Sequence, residues 1–201
     1  MRGLFNRLTG TGPSRETAPP PFTLELPEGW AGGYGHEAYM RALLDYGRAR
    51  PDCRDQSMDR LRYPPGDDVL FAAAAACGPD ARMMVAAEDV PDGLPLENAL
   101  DAYVAGNVED LASEVNLVGQ PTATNVDVPH GGRVIRWTWS YEGVPPESFA
   151  LYLVPAGRRL WVLTFSTSQA SVEEHEAAFT GIVSSFRVTP PTPPQEPSAP
   201  P

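Results

Sequence analysis

The most regular pattern in the chain lies between Arg133 and Phe186. Ile135, Trp137, Trp139 and Tyr141 fall on one parity and Val134, Arg136, Thr138 and Ser140 on the other, the period of two that a strand imposes. Phe149, Leu151 and Leu153 alternate with Ala150, Tyr152 and Val154, and Trp161, Leu163 and Phe165 with Leu160, Val162 and Thr164. Pro155-Ala156-Gly157 supplies a tight turn, so adjacent antiparallel pairing of these strands is expected. Val172, His175, Phe179, Ile182, Val183 and Phe186 then recur at helical spacing, behind a capping-box pair, Ser171 and Glu174. At about 1.5 to 3 kcal/mol for each large apolar side chain buried, this last helix should hold the domain together.

Upstream, FTLEL places Phe22, Leu24 and Leu26 on one face of a first strand, and Pro27, Gly29 and Trp30 turn the chain out of it. Tyr39, Met40, Leu43 and Leu44 trace a helix from His36 to about Arg48, stopped by Gly47 and Pro51. Residues 51 to 66 alternate charge with little apolar content, which predicts a loop with one turn of helix. VLFAAAAAC and ARMMVAAE flank Gly78-Pro79-Asp80 and predict a hairpin whose alanines would let a helix approach closely. Pro95 opens a helix with a stripe of Leu96, Leu100, Tyr103, Val104, Val108 and Leu111, and TATNVDV predicts a short strand. Residues 1 to 21 and 189 to 201, rich in Pro, Gly, Ser and Thr, read as disordered tails around one α+β domain, residues 22 to 188.

Composition removes several classes of function. A formal net charge of -11 argues against nucleic acid, which needs clustered positive charge. All 15 basic residues are arginine, so Schiff-base and phosphate-loop lysine chemistry are closed. Twelve acids and a single arginine, Arg82, lie between Asp67 and Asp127, a solvated face or a docking face for a basic partner. The N-terminus lacks the apolar core of a secretory signal and no run is long enough to span a membrane, so a cytoplasmic protein with no membrane span is expected. Cys53 and Cys77 have no metal-ligand spacing; free thiols are the default in that compartment and a disulfide the alternative.

Chemistry is sparse. Gly33-Tyr34-Gly35-His36-Glu37-Ala38 matches a dinucleotide fingerprint, but the half-polar FTLEL before it and the lack of a second apolar strand ending in an acid count against that reading. His36, His130 and His175 are scattered, and His175, on an apolar stripe, reads as a core residue hydrogen-bonded through one ring nitrogen. No catalytic residue, metal ligand or cofactor is assigned. Trp137 and Trp139 read as core beneath a helix. The reverse strand face, with Arg136, Thr138 and Tyr152, is the place for a specific contact, provided no helix covers it.

The opening FTLELPEGW, the helix LPLENALDAYVAGNVEDL, the meander RVIRWTWSYEG, FALYLVPAG and RRLWVLTFSTS, and the closing FTGIVSSFR together resemble the PsbP-like superfamily. Within it they look like the actinobacterial branch of mycobacterial lipoproteins, related to effector-associated chaperones. The resemblance spans residues 22 to 188 and implies an antiparallel sheet flanked by helices, an α/β/α sandwich. It also implies a non-enzymatic role through contacts with another protein, as an accessory or chaperone for secretion or assembly. The chaperone relatives form dimers and shield apolar segments, which raises a homodimer here. This chain differs in lacking the lipoprotein signal and lipid-bearing cysteine, and in its early insert, residues 36 to 66. The alternative is a module binding a metabolite or lipid in a cleft between sheet and helix.

Overall fold

A computed structural model describes residues 22 to 62, 64 to 127 and 131 to 189; the two predicted tails, apart from Thr189, and His130 lie outside the described residues. Seven strands form one wholly antiparallel sheet in the order β2-β3-β4-β8-β7-β6-β5. They are β2 (Trp30–Tyr34), β3 (Phe71–Ala75), β4 (Ala81–Asp89), β5 (Thr122–Asn125), β6 (Arg133–Trp139), β7 (Glu147–Ala156) and β8 (Arg159–Ser168). A separate two-stranded pair joins β1 (Phe22–Thr23) to β9 (Arg187–Val188). The helices are α1 (Gly35–Ala49), α2 (Arg54–Arg60), α3 (Leu96–Ala112) and α4 (Val172–Ser185).

Period-two alternation sorts the side chains to the two faces. On one, Phe71, Met83, Tyr152, Trp161, Leu163 and Phe165 pack against Phe179, Ile182 and Val183 of α4, with Phe22 and Phe186 sealing the end. On the other, Ile135, Trp137, Trp139, Leu151, Leu153 and Val162 meet Leu100 and Leu111 of α3. Ala72, Ala74 and Ala76 on that second face receive Tyr39 and Leu43 of α1, as small side chains at those positions predict. The result is the expected α+β architecture, an antiparallel sheet in an α/β/α sandwich, with α1 and α3 on one side and α4 on the other.

Several local expectations are corrected. FTLEL is a strand only over Phe22 and Thr23 and stands off the main sheet; Leu24 and Leu26 still pack on the core. The main sheet begins instead at WAGGY, although Trp30 is expected in a turn and glycines weaken a strand. Gly32 is tolerated there because the chain needs its missing side chain: a Cβ would lie 2.5 Å from that of Ala73 on β3. Gly33 and Gly35 likewise have structural duties. A Cβ on Gly33 would lie 2.5 Å from the Ala38 backbone, and Gly35, at φ +72°, occupies the left-handed region as the chain enters α1. Since β2 pairs antiparallel with β3, the strand after α1, no parallel crossover exists to form a dinucleotide site there.

The segment after Pro51 is more ordered than its composition suggests. A 3-10 turn (Pro51–Cys53) leads into the two turns of α2, and Cys53 forms a disulfide with Cys77 at the end of β3, so the thiols are not free. Ser57 donates to the Ala76 carbonyl, and Arg60 donates through Nε to Ala75 and through Nη2 to Gly78. At the other end, the Ser171 and Glu174 pair makes no side-chain cap; the Ser168 hydroxyl donates to Ser171 Oγ instead.

Candidate functional site

Helix α4 lies chiefly against β8 and leaves part of β5, β6 and β7 uncovered on its face of the sheet. A cleft of about 270 Å³ lies in the gap, floored by Arg136, Thr138, Ser148, Ala150 and Tyr152 and walled by Val172, Glu176 and Phe179 of α4. Strand register explains the floor. Arg136 is opposite Ala150 and Thr122, Thr138 opposite Ser148, and Val134 opposite Tyr152, so all point to the α4 face. The three residues singled out in the sequence are thus brought together, and α4 borders them without burying them all.

Polar contacts tie the floor to the wall. Arg136 donates through Nη2 to the Tyr152 hydroxyl at 3.3 Å and to Glu176 Oε1 at 3.4 Å, and its Cζ stands 5.8 Å from the centre of the Tyr152 ring. Thr138 Oγ1 and Ser148 Oγ are 3.2 Å apart across β6 and β7. Burial pushes the Tyr152 hydroxyl above its ordinary range, with Glu176 adding to the shift; the Arg136 charge and hydrogen bonds from Thr180 and Arg136 oppose it. Tyr152 therefore stays protonated at neutral pH and serves as a hydrogen-bonding group.

Glu176 and Ser148 were not among the residues singled out. Glu176 falls on the polar side of an amphipathic helix, where any glutamate reads as solvated, and only the approach of α4 to β6 gives it a partner. The two described histidines do not converge with this cleft: His36 opens α1 on the opposite face, while His175 is buried against Trp30 and Phe179. His175 Nε2 is buried with no hydrogen-bond partner among the described residues. Trp137 and Trp139 are core, as read, with Phe149 stacked on Trp137 at 5.2 Å.

The β5 side of the cleft is an edge of the sheet, unpaired among the described residues, and all four β5 residues are exposed. Val118 donates its backbone N–H to Thr138 and Ser140 donates to Asn116, prolonging that edge towards the β6–β7 turn. There Val118, Tyr141 and Val144 are exposed. The acidic segment is partly engaged within the molecule: Asp80 pairs with Arg60 and Arg82, Asp89 with Arg159, Asp92 with Arg158 and Asp101 with Arg133.

No family model matches the chain, and no curated protein does. Solved structures do. LpqN of Mycobacterium tuberculosis, described as involved in cell envelope biogenesis, superposes with a TM-score of 0.54 at 11% identity, over 84% of this chain and 83% of LpqN. What the two share is the fold. Cyanobacterial PsbP from Synechocystis sp. gives a TM-score of 0.49 at 13% identity, over 88% of this chain and 98% of its own. The Saccharomyces cerevisiae Ran-binding protein Mog1p gives 0.40 at 11% identity, over 65% and 83% of the two chains.

Proposed function

We propose that this chain is a non-enzymatic binding domain that holds another protein at the β5 edge of its sheet. The observation that carries this reading is the exposed edge strand lying directly beside the cleft that gathers Arg136, Thr138 and Tyr152. An edge strand offers unpaired backbone groups to an incoming strand, which supply affinity, while neighbouring side chains supply selectivity. The apolar residues Val118, Tyr141 and Val144 at one end widen the contact. An accessory role in secretion or assembly, and kinship with the actinobacterial PsbP-like branch, belong to this proposal, and the LpqN-like fold supports it.

A photo-reactive residue placed at Thr124 in the native host should cross-link to a discrete partner, whereas the same residue at exposed Arg41 on α1 should not. Equal cross-linking from both positions would overturn the edge as the docking site, and an adduct only between copies of this chain would identify the partner as a homodimer.

A second reading is supported by the wall that α4 raises over the cleft: a small ligand, rather than a chain, occupies the space between helix and sheet. Sites of this kind are concave, largely apolar and set with a few polar groups. As for the compartment, a cytoplasmic location was expected from the N-terminal sequence, while the Cys53–Cys77 disulfide supports work in an oxidising one.

A further inference from the structure

The cleft's cation is under-used. Both hydrogen bonds of the Arg136 side chain come from Nη2, at 3.3 and 3.4 Å, the long end of the normal range or beyond it. Nε and Nη1 have no partner among the described residues, although a guanidinium presents five N–H groups in a planar fork shaped for a carboxylate. The Glu176 side chain that balances the charge is 55% exposed and that of Arg136 42%, so their attraction is screened and Glu176 is easily displaced. Next to this fork lie two hydroxyls, Thr138 and Ser148, and beyond them an apolar wall of Val172 and Phe179. The volume, about 270 Å³, is at the small end of ligand sites.

We infer that the cleft recognises a small monocarboxylate with an apolar body, its carboxylate taking the Arg136 fork in place of Glu176 and its body lying against Val172 and Phe179. The inference rests on the second reading above. A phosphate dianion fits less well, because one guanidinium beside a glutamate leaves its second charge unmatched. A cation would have to settle beside Arg136. The chain's net charge of -11 opposes entry of any anion, so affinity for a simple probe is modest and depends on Glu176.

Phenylacetate and its uncharged counterpart phenylacetamide, titrated into the full chain and followed by NMR of backbone amides and arginine side chains, separate the possibilities. Phenylacetate should shift Arg136, Thr138, Ser148 and Tyr152 saturably, and bind roughly tenfold or more tightly than phenylacetamide. Glu176→Gln should tighten phenylacetate severalfold and leave phenylacetamide unchanged, whereas Arg136→Gln should abolish the difference between the probes. Because Glu176 is on the exposed side of α4, its variant keeps the test valid even if Arg136→Gln fails to fold. Equal affinities for the two probes within the cleft, or weaker phenylacetate binding to Glu176→Gln, would overturn carboxylate recognition while leaving a ligand cleft. Shifts confined to other parts of the molecule, or none, would overturn both.

Discussion

A single residue's environment can set how stability depends on pH, and Glu88 on β4 is the clearest case. Burial raises its carboxyl above the ordinary glutamate range, and a hydrogen bond with Tyr103 of α3 only partly offsets that. Tyr103 is in turn held protonated, by burial first and by Glu88 second. A carboxyl whose pKa is higher in the folded than in the unfolded state binds more protons when folded. Stability therefore falls as pH rises from the ordinary glutamate value through the raised one, and is level above it. Glu88→Gln should thus be more resistant to urea than wild type at pH 7.5, with the gap closing towards pH 4. A constant gap between the two urea midpoints across that range would show that Glu88 titrates normally. None of this was legible in the sequence, where Glu88 is one acid among many; its burial comes from α3 lying over the end of β4.

Among the elements, α2 shows how a segment can be ordered without an apolar stripe. Its sequence, RDQSMDR, carries no periodic signal, and its hold on the sheet is polar and covalent: Ser57 and Arg60 donating to the β3 end, and the Cys53–Cys77 bridge. The bridge closes a loop with a sequence separation of 24, which by chain entropy stabilises the fold by about 3 kcal/mol. Replacing both cysteines with alanine should lower the unfolding free energy by that order, and hydrogen exchange should quicken first in α2 and its junction with α1. Exchange that quickens uniformly over the whole sheet would mean that the bridge supports the core rather than this arm. By contrast, α1, α3 and α4 were legible because each buries a stripe at 3.6-residue spacing. The candidate site was half legible: alternation puts Arg136 and Thr138 on one face of β6, with Tyr152 facing the same way from β7, but the gap beside α4 depends on how that helix crosses the sheet.

For the molecule as a whole, the Cys53–Cys77 disulfide bears on the compartment in which the chain works, and that can be measured. If the chain works in an oxidising compartment, thiol alkylation of protein acid-quenched in its native host should leave both Cys53 and Cys77 unmodified until reductant is added. Full modification without reductant would place it in a reducing one. No helix among the described residues is long and apolar enough to cross a membrane.

By itself the sequence determined the periodicities, and with them three strands in a meander, the hairpin before them, three amphipathic helices and an α+β class. Those features are local: they follow from which residues must be buried once a strand or helix forms. Tertiary structure decided what depends on distant neighbours. It inserted the β3–β4 hairpin beside β8, paired WAGGY with β3 as an edge strand in which Ala73 leaves room only for glycine at position 32, and joined Cys53 to Cys77. It also set α4 so that Arg136, Thr138, Tyr152 and Glu176 border one cleft. Pairing order and helix placement are chosen by the packing of whole faces, a sum over contacts that no short stretch of the chain contains.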